Sequence, residues 1–505
     1  MIFRVLANPT KKPLSPYPSF VCGFAVLLVF CWVAWTTAWD AGLYGDNVEQ
    51  FVWVHSLQWG YHKHPPMPTW LLSAAIYLMG SHSWLTNALA AVCMATTGWL
   101  TWLITRRLFN PHIANIAIVL WGLEQCFSLS AQIYNHNTVL VMFMAATVYA
   151  ALRALDGLRN YGWSFGVGVF AGCAMLSKYQ AALPLGVLLI AVGLMNRANL
   201  RTMLGKLLFA GVGFAVVFSP HFYWSVQHQF PALRYASAAI EAGGLTRRLA
   251  WVATFIVNQI RMVLPLLLTI GLSLAICKIL NRSGPTEPKL RVASGSNSPD
   301  QSAAWMWALV WAPLIVVVTT SLVTGSQLRN HWGVQLFQFF PIWVAWRWHA
   351  SGAMRLAQLV PIALMVHALG FAYYAIKQSD PNAAQATRRA DSAYPAREMA
   401  DAALAHWKQH TRCPLKLIGG DFEAGLVSAF TTEFPVVYTD AQATPWVSAE
   451  QVKRDGLLYV SDMASALPAS AIAVKNWYLN PSRPSSGRYV QFAVELPADE
   501  CKLPE

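Results

Sequence analysis

The residues best suited to chemistry lie in one polar, aromatic stretch near the amino end, LYGDNVEQFVWVHSLQWGYHKHPPMPTW (43–70). Asp46, Glu49 and Trp53 fall at positions i, i+3 and i+7, so they share one face if residues 46–58 form a helix. Indole rings favour the headgroup layer of a bilayer. The spacing therefore predicts a helix that lies along a membrane surface and presents carboxylates there.

Lys63 follows this predicted helix, and Pro65–Pro66 stiffens the chain directly after it. A lysine ammonium can hold a phosphate as a point charge, and the carboxylate of Asp46 can orient a hydroxyl group or accept its proton. Together the two groups suit a reaction whose donor is a lipid-linked phosphate. On the residues alone, the alternative is a solvated loop in which both charges simply face water.

Lys178, Arg329 and His331 are further candidates for holding a phosphate. Lys178 ends an apolar segment, and a charge in or near a membrane is costly and usually faces a cavity or a partner. Arg329 and His331 lie in a short loop and could add donors to the same phosphate. The alternatives are that Lys178 reaches the membrane interface along its own stem and that the loop residues only anchor the chain there.

Histidines surround the same region. His62 and His64 flank Lys63. With Glu49, or with His221 and His228, they could bind a divalent metal, because imidazole and carboxylate groups are metal ligands. No closely spaced ligand signature supports this site, so we expect no required cofactor and keep His62 only as an optional metal ligand. The segment Tyr134-Asn135-His136 is a candidate contact for sugar hydroxyl groups.

The elements that must position these residues are mainly membrane spans. The chain has 505 residues, of which 56% are hydrophobic and 12% charged, whereas soluble domains carry about 25% charged residues. Apolar runs of spanning length recur along the first three quarters of the chain. They predict about eleven spans, near 18–39, 83–105, 111–130, 137–157, 162–178, 180–196, 205–224, 250–277, 303–323, 331–347 and 355–376.

Lys and Arg residues predict the direction of these spans, because they cluster in every second connection and so mark those connections as cytoplasmic. The same placement explains the net charge of +13, and we expect no nucleic-acid partner. The amino end is then cytoplasmic. The connection 40–82 and everything after 377 are predicted to be extracytoplasmic.

Composition changes after the last predicted span. Short apolar segments of strand length alternate with helix-compatible segments such as 395–410; the predicted strands are 415–419, 435–439, 456–461 and 489–496. The pattern predicts a membrane domain (1–376) followed by a small extracytoplasmic α/β domain (377–505). Cys413 and Cys501 could pair there in an oxidising compartment, a pairing that the sequence does not decide.

Three landmarks spread along the membrane part resemble a known family. The first is Asp46-Asn47, Gly60-Tyr61, His64-Pro65-Pro66-Met67 and Trp70; the second is AGCAMLSKYQA (171–181); the third is Arg329-Asn330-His331-Trp332 followed by Pro341. They resemble the polyprenyl- and dolichyl-phosphate-sugar glycosyltransferases of the protein-mannosyltransferase superfamily. The resemblance implies the C-type glycosyltransferase fold for the membrane part.

The resemblance also implies roles for single residues. Asp46 takes the place of the acidic residue implicated in catalysis. Lys63 falls near the position at which lipid A aminoarabinose transferases place a phosphate-binding lysine, offset here by one residue. Two departures follow: Asn47 replaces the usual glutamate, and Lys-His-Pro-Pro blends two branches, so the substrate of neither branch is implied. The candidate substrate contacts are Glu49, Tyr61, His64, His136 and His331.

The sequence and this resemblance together predict a multi-pass glycosyltransferase of a bacterial inner membrane. It would transfer a hexosyl or pentosyl group, with inversion, from a polyprenyl-phosphate donor to lipid A, another glycolipid or polysaccharide, or a protein. One alternative is a transporter or flippase of polyprenyl-linked lipids, although such proteins place charges in mid-span and often show internal repeats. Another is a membrane-anchored binding or assembly protein that works through its C-terminal domain. The sequence names neither the sugar nor the acceptor.

Overall fold

The protein is described by a computed structural model over residues 20–157, 159–238, 244–280, 299–351, 356–380, 391–462, 467, 470–479 and 489–498. Helices make up the first three quarters. They are α1 (Phe20–Trp39), α2 (Gly45–Trp53), α3 (Met67–Met79), α4 (Leu85–Leu108), α5 (Pro111–Gly122), α6 (His136–Ala154), α7 (Tyr161–Ser177), α8 (Ala182–Met195), α9 (Leu200–Gln227), α10 (Pro231–Ala238), α11 (Leu245–Met262), α12 (Leu264–Leu280), α13 (Pro299–Met306), α14 (Ala312–Thr324), α15 (Gly333–Phe337), α16 (Phe340–Ser351) and α17 (Leu356–Gln378).

Membrane-length helices dominate this part. Six helical segments in the described ranges are long and apolar enough to cross a bilayer, and α11 with α12 forms a seventh candidate that is bent by 58°. Shorter apolar helices add to them. Ten of the eleven predicted spans overlap one or more of these helices, and the span predicted at 331–347 coincides only with the short helices α15 and α16. The polytopic helical architecture is confirmed, while the number of crossings stays a prediction.

Two predicted spans are broken rather than continuous. The span predicted at 250–277 is α11 followed by α12, and Pro265 lies in the first turn of α12, where its missing N–H and fixed φ suit a helix start rather than a helix interior. The span predicted at 331–347 is a one-turn 3₁₀ helix followed by α15 and α16. Pro341 occupies the corresponding place at the start of α16.

The connection 40–82 is more helical than predicted. The helix expected over 46–58 ends at Trp53, because the chain turns back so that Tyr61 can stack on Trp53 with ring centroids 4.9 Å apart. Pro66 then caps a second helix, α3, which has Pro68 in its first turn. The proline-rich segment thus starts a helix and does more than stiffen a loop.

The C-terminal α/β region (391–498) contains a five-stranded sheet in the order β2-β1-β3-β5-β4. Its elements are α18 (Ala396–His410), β1 (Leu417–Gly419), α19 (Phe422–Phe430), β2 (Val436–Tyr438), α20 (Ala449–Asp455), β3 (Leu457–Asp462), β4 (Ile472–Tyr478) and β5 (Tyr489–Glu495). β1 lies parallel to β2 and β3, whereas β5 runs antiparallel to β3 and β4.

All four predicted strands coincide with observed strands, and the predicted helix over 395–410 is α18. Strand β4 was missed because it is a largely exposed edge strand with Lys475 and Asn476 in its middle, which breaks the apolar signal. The pairing of Cys413 with Cys501 was left open from the sequence, and Cys501 lies outside the described residues.

The C-terminal region packs directly on α2. Gly425 in α19 faces Val48 so closely that an added Cβ would clash with its side chain. Phe434 meets Phe51 edge to face at 6.4 Å between ring centroids. The connection 40–82 and the C-terminal region therefore share one hydrophobic core, and α2 is held between the membrane helices and the sheet region.

Candidate functional site

A polar cavity of about 290 Å³ opens beside α2. Its charged and aromatic lining comes from two distant parts of the sequence: Tyr44, Asp46, Glu49, Lys63, Asp421 and Phe422. The connection 40–82 supplies the first four, and the last two begin α19. The acid and the base that the sequence analysis singled out therefore face a common space.

Asp46 is fixed by a hydrogen-bonded support. The side chain of Asn135 donates to Asp46 Oδ2 at 2.8 Å and also caps α6, accepting from the backbone N–H groups of Asn137 and Thr138. Asp46 itself lies in the first turn of α2, where exposed N–H groups favour a negative charge. The Asp46 carboxylate is thus positioned by the first turn of α2, in which it lies, and by Asn135, the N-cap residue of α6.

Glu49 and Lys63 form an ion pair across the cavity, with Nζ to Oε1 at 2.8 Å. Burial raises the pKa of Glu49, and the nearby ammonium of Lys63 counteracts part of that rise. The pKa of Lys63 lies above its usual value despite the opposing effect of burial, because Glu49 stabilises the charged form. Lys63 also lies 5.9 Å from the ring centroid of Tyr235. Any phosphate that binds Lys63 must therefore compete with Glu49.

A second set of basic groups lies next to this ion pair. Lys178 donates to Asn137 Oδ1 at 2.9 Å, and burial lowers its pKa to about 8. His331 has a pKa of about 3 because of burial, with smaller contributions from the positive charges of Lys178 and Arg329. Burial likewise lowers the pKa of His64, with further contributions from several nearby basic groups, Lys178 and His331 among them. Basic residues from all three sequence landmarks (His64, Lys178 and His331) are therefore close enough to shift the pKa values of the two histidines.

Glu49, His64 and His136 present ligand atoms that all lie within 4.8 Å of one another. A divalent ion accepts this mixture of carboxylate and imidazole ligands. His136 already places its two ring nitrogens near the carbonyl of Ser177 (3.1 Å) and the amide of Gln50 (3.3 Å). Glu49 and His64 were candidate ligands from the sequence, whereas His62, the third, is not part of this group.

Tyr61 lies behind the cavity. Its phenol donates to the carbonyl of Ser56 at 2.8 Å, its ring stacks on Trp53, and only 2% of the residue is exposed. This placement makes Tyr61 a support for the turn after α2. It does not line the cavity with Asp46 and Lys63.

Comparison with known proteins agrees with this architecture. Residues 63–224 match the family model described as dolichyl-phosphate-mannose-protein mannosyltransferase. The chain is 24% identical over 194 residues to the lipid A galacturonosyltransferase RgtD of Rhizobium johnstonii, a match covering 38% of this chain and 40% of that protein. The chain thus matches well under half the length of this curated relative.

The decisive finding is structural. The crystal structure of ArnT from Cupriavidus metallidurans bound to undecaprenyl phosphate is similar over 96% of this chain and 99% of that one, with a TM-score of 0.54 and 16% identity. The apo structure of the same protein gives a TM-score of 0.51. The chain therefore shares the overall fold of this ArnT structure. It carries the C-type glycosyltransferase fold, as the landmarks predicted, together with a C-terminal sheet region.

At Asn47 the chain departs from the pattern of the family that it resembles, and the structure explains this departure. The Asn47 side chain donates to Thr86 Oγ1 (3.1 Å), Asn87 Oδ1 (2.9 Å) and the carbonyl of Gln132 (3.2 Å). It also accepts from the backbone N–H of Tyr134 at 2.9 Å. Asn47 is fully buried, so it anchors α2 and the segment before α6 and does not face the cavity.

Sequence reasoning missed several residues of the site. Asp421 and Phe422 escaped because they lie more than 350 residues from Lys63 and carry no recognisable spacing relative to it. Asn135 was considered from the sequence only as a sugar contact together with Tyr134 and His136. Its support of Asp46 was not predicted, although an asparagine directly before an apolar helix is a typical N-cap.

Proposed function

We propose that this protein is a membrane glycosyltransferase that moves a sugar from a polyprenyl-phosphate donor to an extracytoplasmic acceptor. The observation that carries the proposal is that Asp46 and Lys63 line one cavity, next to the basic groups around Lys178. The similar solved structure with undecaprenyl phosphate and the similar lipid A galacturonosyltransferase support a lipid-linked donor. The acceptor is lipid A, another glycolipid or polysaccharide, or a protein.

In this proposal the donor phosphate binds among Lys63, Lys178 and Arg329. Lys63 leaves Glu49 when the phosphate arrives, and Lys178 approaches from the side of Asn137. The ammonium and guanidinium groups then offset the charge that develops on the phosphate oxygen as the bond between this oxygen and the anomeric carbon breaks. The phosphate leaves with its lipid tail.

Asp46 acts on the acceptor. An acceptor oxygen attacks the anomeric carbon opposite the leaving phosphate, which inverts its configuration. If the nucleophile is a hydroxyl group, its proton passes to the carboxylate of Asp46. If the acceptor is itself a phosphate, it is already ionised, and Asp46 then orients it and tunes the local charge.

The proposal includes an orientation: the amino end faces the cytoplasm, and the cavity with the C-terminal region faces the periplasm. The alternate clustering of Lys and Arg in the connections supports this direction. A donor would then reach the cavity from the outer leaflet, with its lipid tail among the membrane helices.

The test is turnover by the full-length protein in lipid vesicles that contain a polyprenyl-phosphate sugar and lipid A. We expect the wild type to consume the donor, and Asp46→Asn and Lys63→Ala to abolish consumption while inserting normally. Lys408→Ala, which changes an exposed lysine on α18, is the matched control and should retain activity. Near-normal turnover by both site variants would refute the assignment, and movement of intact donor across the membrane would indicate a flippase.

A further inference from the structure

A guanidinium group lies within the exposed apolar surface of the broken span that α11 and α12 form. We propose that Arg261, which carries this group, binds the phosphate of an anionic membrane lipid together with Asn258 and Asn330. The lipid lies in the leaflet on the side of the cavity, and its phosphate is distinct from the phosphate of the sugar donor. This lipid site goes beyond the proposed sugar transfer and does not depend on it.

The surface around Arg261 has the composition of a surface that faces lipid. Val257 and Ile260 on α11 are 48% and 50% exposed, and Leu264 at the start of α12 is 43% exposed. Arg261 is exposed as well and shares the helix side of Val257, because residues four apart are neighbours on a helix surface. The opposite side of α11, which includes Phe255, is buried. Arg261 thus lies in an apolar, exposed surface of a candidate membrane span.

Among the described residues, the guanidinium of Arg261 has no carboxylate partner in an ion pair. An arginine side chain stays charged at physiological pH. A charge at a lipid-facing surface is costly unless it meets a partner or reaches the aqueous interface. A lipid phosphate is a suitable partner, since its oxygens can accept two parallel N–H bonds from one guanidinium.

Two amide side chains orient the guanidinium and add a donor to the site. Arg261 Nη1 donates to Asn258 Oδ1 at 3.3 Å, and Asn258 Nδ2 donates to Asn330 Oδ1 at 2.9 Å. Arg261 uses one N–H group in this contact and keeps the others for a ligand. Asn330 is exposed, and because its Oδ1 is the acceptor here, its NH2 group can donate to the same ligand. A phosphate between Arg261 and Asn330 would therefore receive hydrogen bonds from both.

The turn at Asn330 places this site on the same side of the membrane as the cavity. Gln259 donates to the carbonyl of Asn330 at 3.1 Å, and a Cβ on Gly333 would clash with the Gln259 side chain, so α11 packs tightly on the turn. His331, the next residue, lies near enough to Lys178 to be affected by its charge. The lipid phosphate would thus lie near the basic groups assigned to the donor, but on α11, which contributes no residue to the cavity lining.

The apolar neighbours of Arg261 favour a lipid over a free anion. A lipid brings acyl chains that cover Val257, Ile260 and Leu264 while its headgroup meets the guanidinium. Arginines near a membrane surface attract anionic lipids. Phosphatidylglycerol, which carries a net negative charge, should therefore bind in preference to zwitterionic phosphatidylcholine.

The test is native mass spectrometry of the full-length protein in detergent micelles, titrated with phosphatidylglycerol or with phosphatidylcholine. We expect the wild type to bind its first phosphatidylglycerol about fivefold more tightly than Arg261→Gln does, a factor that corresponds to about 1 kcal/mol. Arg261→Lys keeps the charge but loses the planar fork of donors, so its affinity should be intermediate. All three proteins should bind phosphatidylcholine alike.

Arg397→Gln is the matched control, because Arg397 is an exposed arginine on α18 that lies over the ring of Phe430. It should bind phosphatidylglycerol like the wild type. Equal phosphatidylglycerol affinity of the wild type and Arg261→Gln, or equal affinity of the wild type for both lipids, would overturn the inference. Displacement of the lipid by inorganic phosphate at the same concentration would also overturn it, since the site would then hold a free anion. An equal loss of undecaprenyl-phosphate-sugar binding in Arg261→Gln would assign Arg261 to the donor instead and contradict a separate lipid site.

Discussion

Asn47 illustrates how a single residue can keep its place in a family landmark while changing its task. The superfamily pattern has a carboxylate here, and the loss of this group suggested from sequence that the site had one acid fewer. In the structure the amide satisfies four buried partners. The chain uses the position to hold α2, and Glu49, the next acidic residue in the cavity lining, supplies the second acid instead.

Asn47→Asp tests this anchoring role. The substitution replaces a donor by a buried carboxylate oxygen that faces two acceptors, Asn87 Oδ1 and the carbonyl of Gln132. We expect a loss of about 1–3 kcal/mol of stability, visible as a lower unfolding temperature in detergent. Asn199→Asp, at an exposed position, should leave the unfolding temperature unchanged. Equal stability of Asn47→Asp and the wild type would show that the hydrogen bonds do not anchor α2.

Lys178 gives the site a pH dependence whose direction follows from burial. Burial disfavours the charged ammonium and lowers its pKa to about 8, so the group is charged below this pH and loses its charge as the pH rises through it. Since the ammonium holds the donor phosphodiester in our proposal, donor affinity should fall between pH 7 and pH 9.5.

Lys178→Arg is the matched variant for this prediction, because a guanidinium stays charged over the whole range. Equilibrium binding of an undecaprenyl-phosphate sugar at each pH is the measurement. The affinity of the wild type should decline through pH 8, and the decline should be much smaller for the variant. The same decline in both proteins would assign the pH dependence to another group.

At the level of residues, the sequence predicted which side chains carry chemistry better than it predicted their partners. Asp46 and Lys63 were chosen because of type, spacing and resemblance, and the structure brings them to one cavity. The ion pair between Lys63 and Glu49 was not predicted, because it depends on how the chain turns back after Trp53. Asp421 could not be predicted, since only the docking of the C-terminal region places it there.

Helices α7 and α9 show how an element far from the cavity supports it. Gly168 and Gly213 lie where the two helices cross, and a Cβ on Gly168 would clash with the backbone carbonyl of Ala210. Small residues let membrane helices approach closely and gain van der Waals contact. This close packing fixes the position of α7 relative to α9, and so the position of Lys178, the residue that follows α7.

Gly168→Ala should therefore separate α7 from α9. We expect a loss of about 1–3 kcal/mol of stability from overpacking, measured as a lower unfolding temperature and a smaller fraction of folded protein after extraction. Gly211→Ala is the control on α9, because a Cβ there meets no atom within 4 Å. If both variants are as stable as the wild type, the crossing is not tightly packed.

Helices and strands were predicted most reliably where a run of apolar residues alone marks the element. Long apolar helices and the buried strands β1, β3 and β5 were found, whereas exposed β4 was not. Breaks were missed at Pro265 and Pro341, although each proline marks a helix start, because a continuous apolar run outweighed the proline signal. The proline pair at 65–66 was likewise recognised as stiff, but not as the start of α3.

At the scale of the whole molecule, the candidate site is built from residues of both the membrane part and the C-terminal α/β region. The connection 40–82 carries Asp46 and Lys63, the end of α7 carries Lys178, and the C-terminal region adds Asp421 and Phe422 to the cavity lining. No residue of the C-terminal region was predicted from the sequence to belong to the site. Its packing against α2 instead gives it a direct part in the site.

The most direct test of the account is an electron cryomicroscopy structure of the wild-type protein in nanodiscs with an undecaprenyl-phosphate sugar and no acceptor. The account predicts that the phosphate lies within hydrogen-bonding distance, about 3 Å, of Lys63 or Lys178, with the sugar in the cavity facing Asp46. A donor headgroup bound elsewhere, with Lys63 still paired to Glu49 and the cavity empty of sugar, would contradict it.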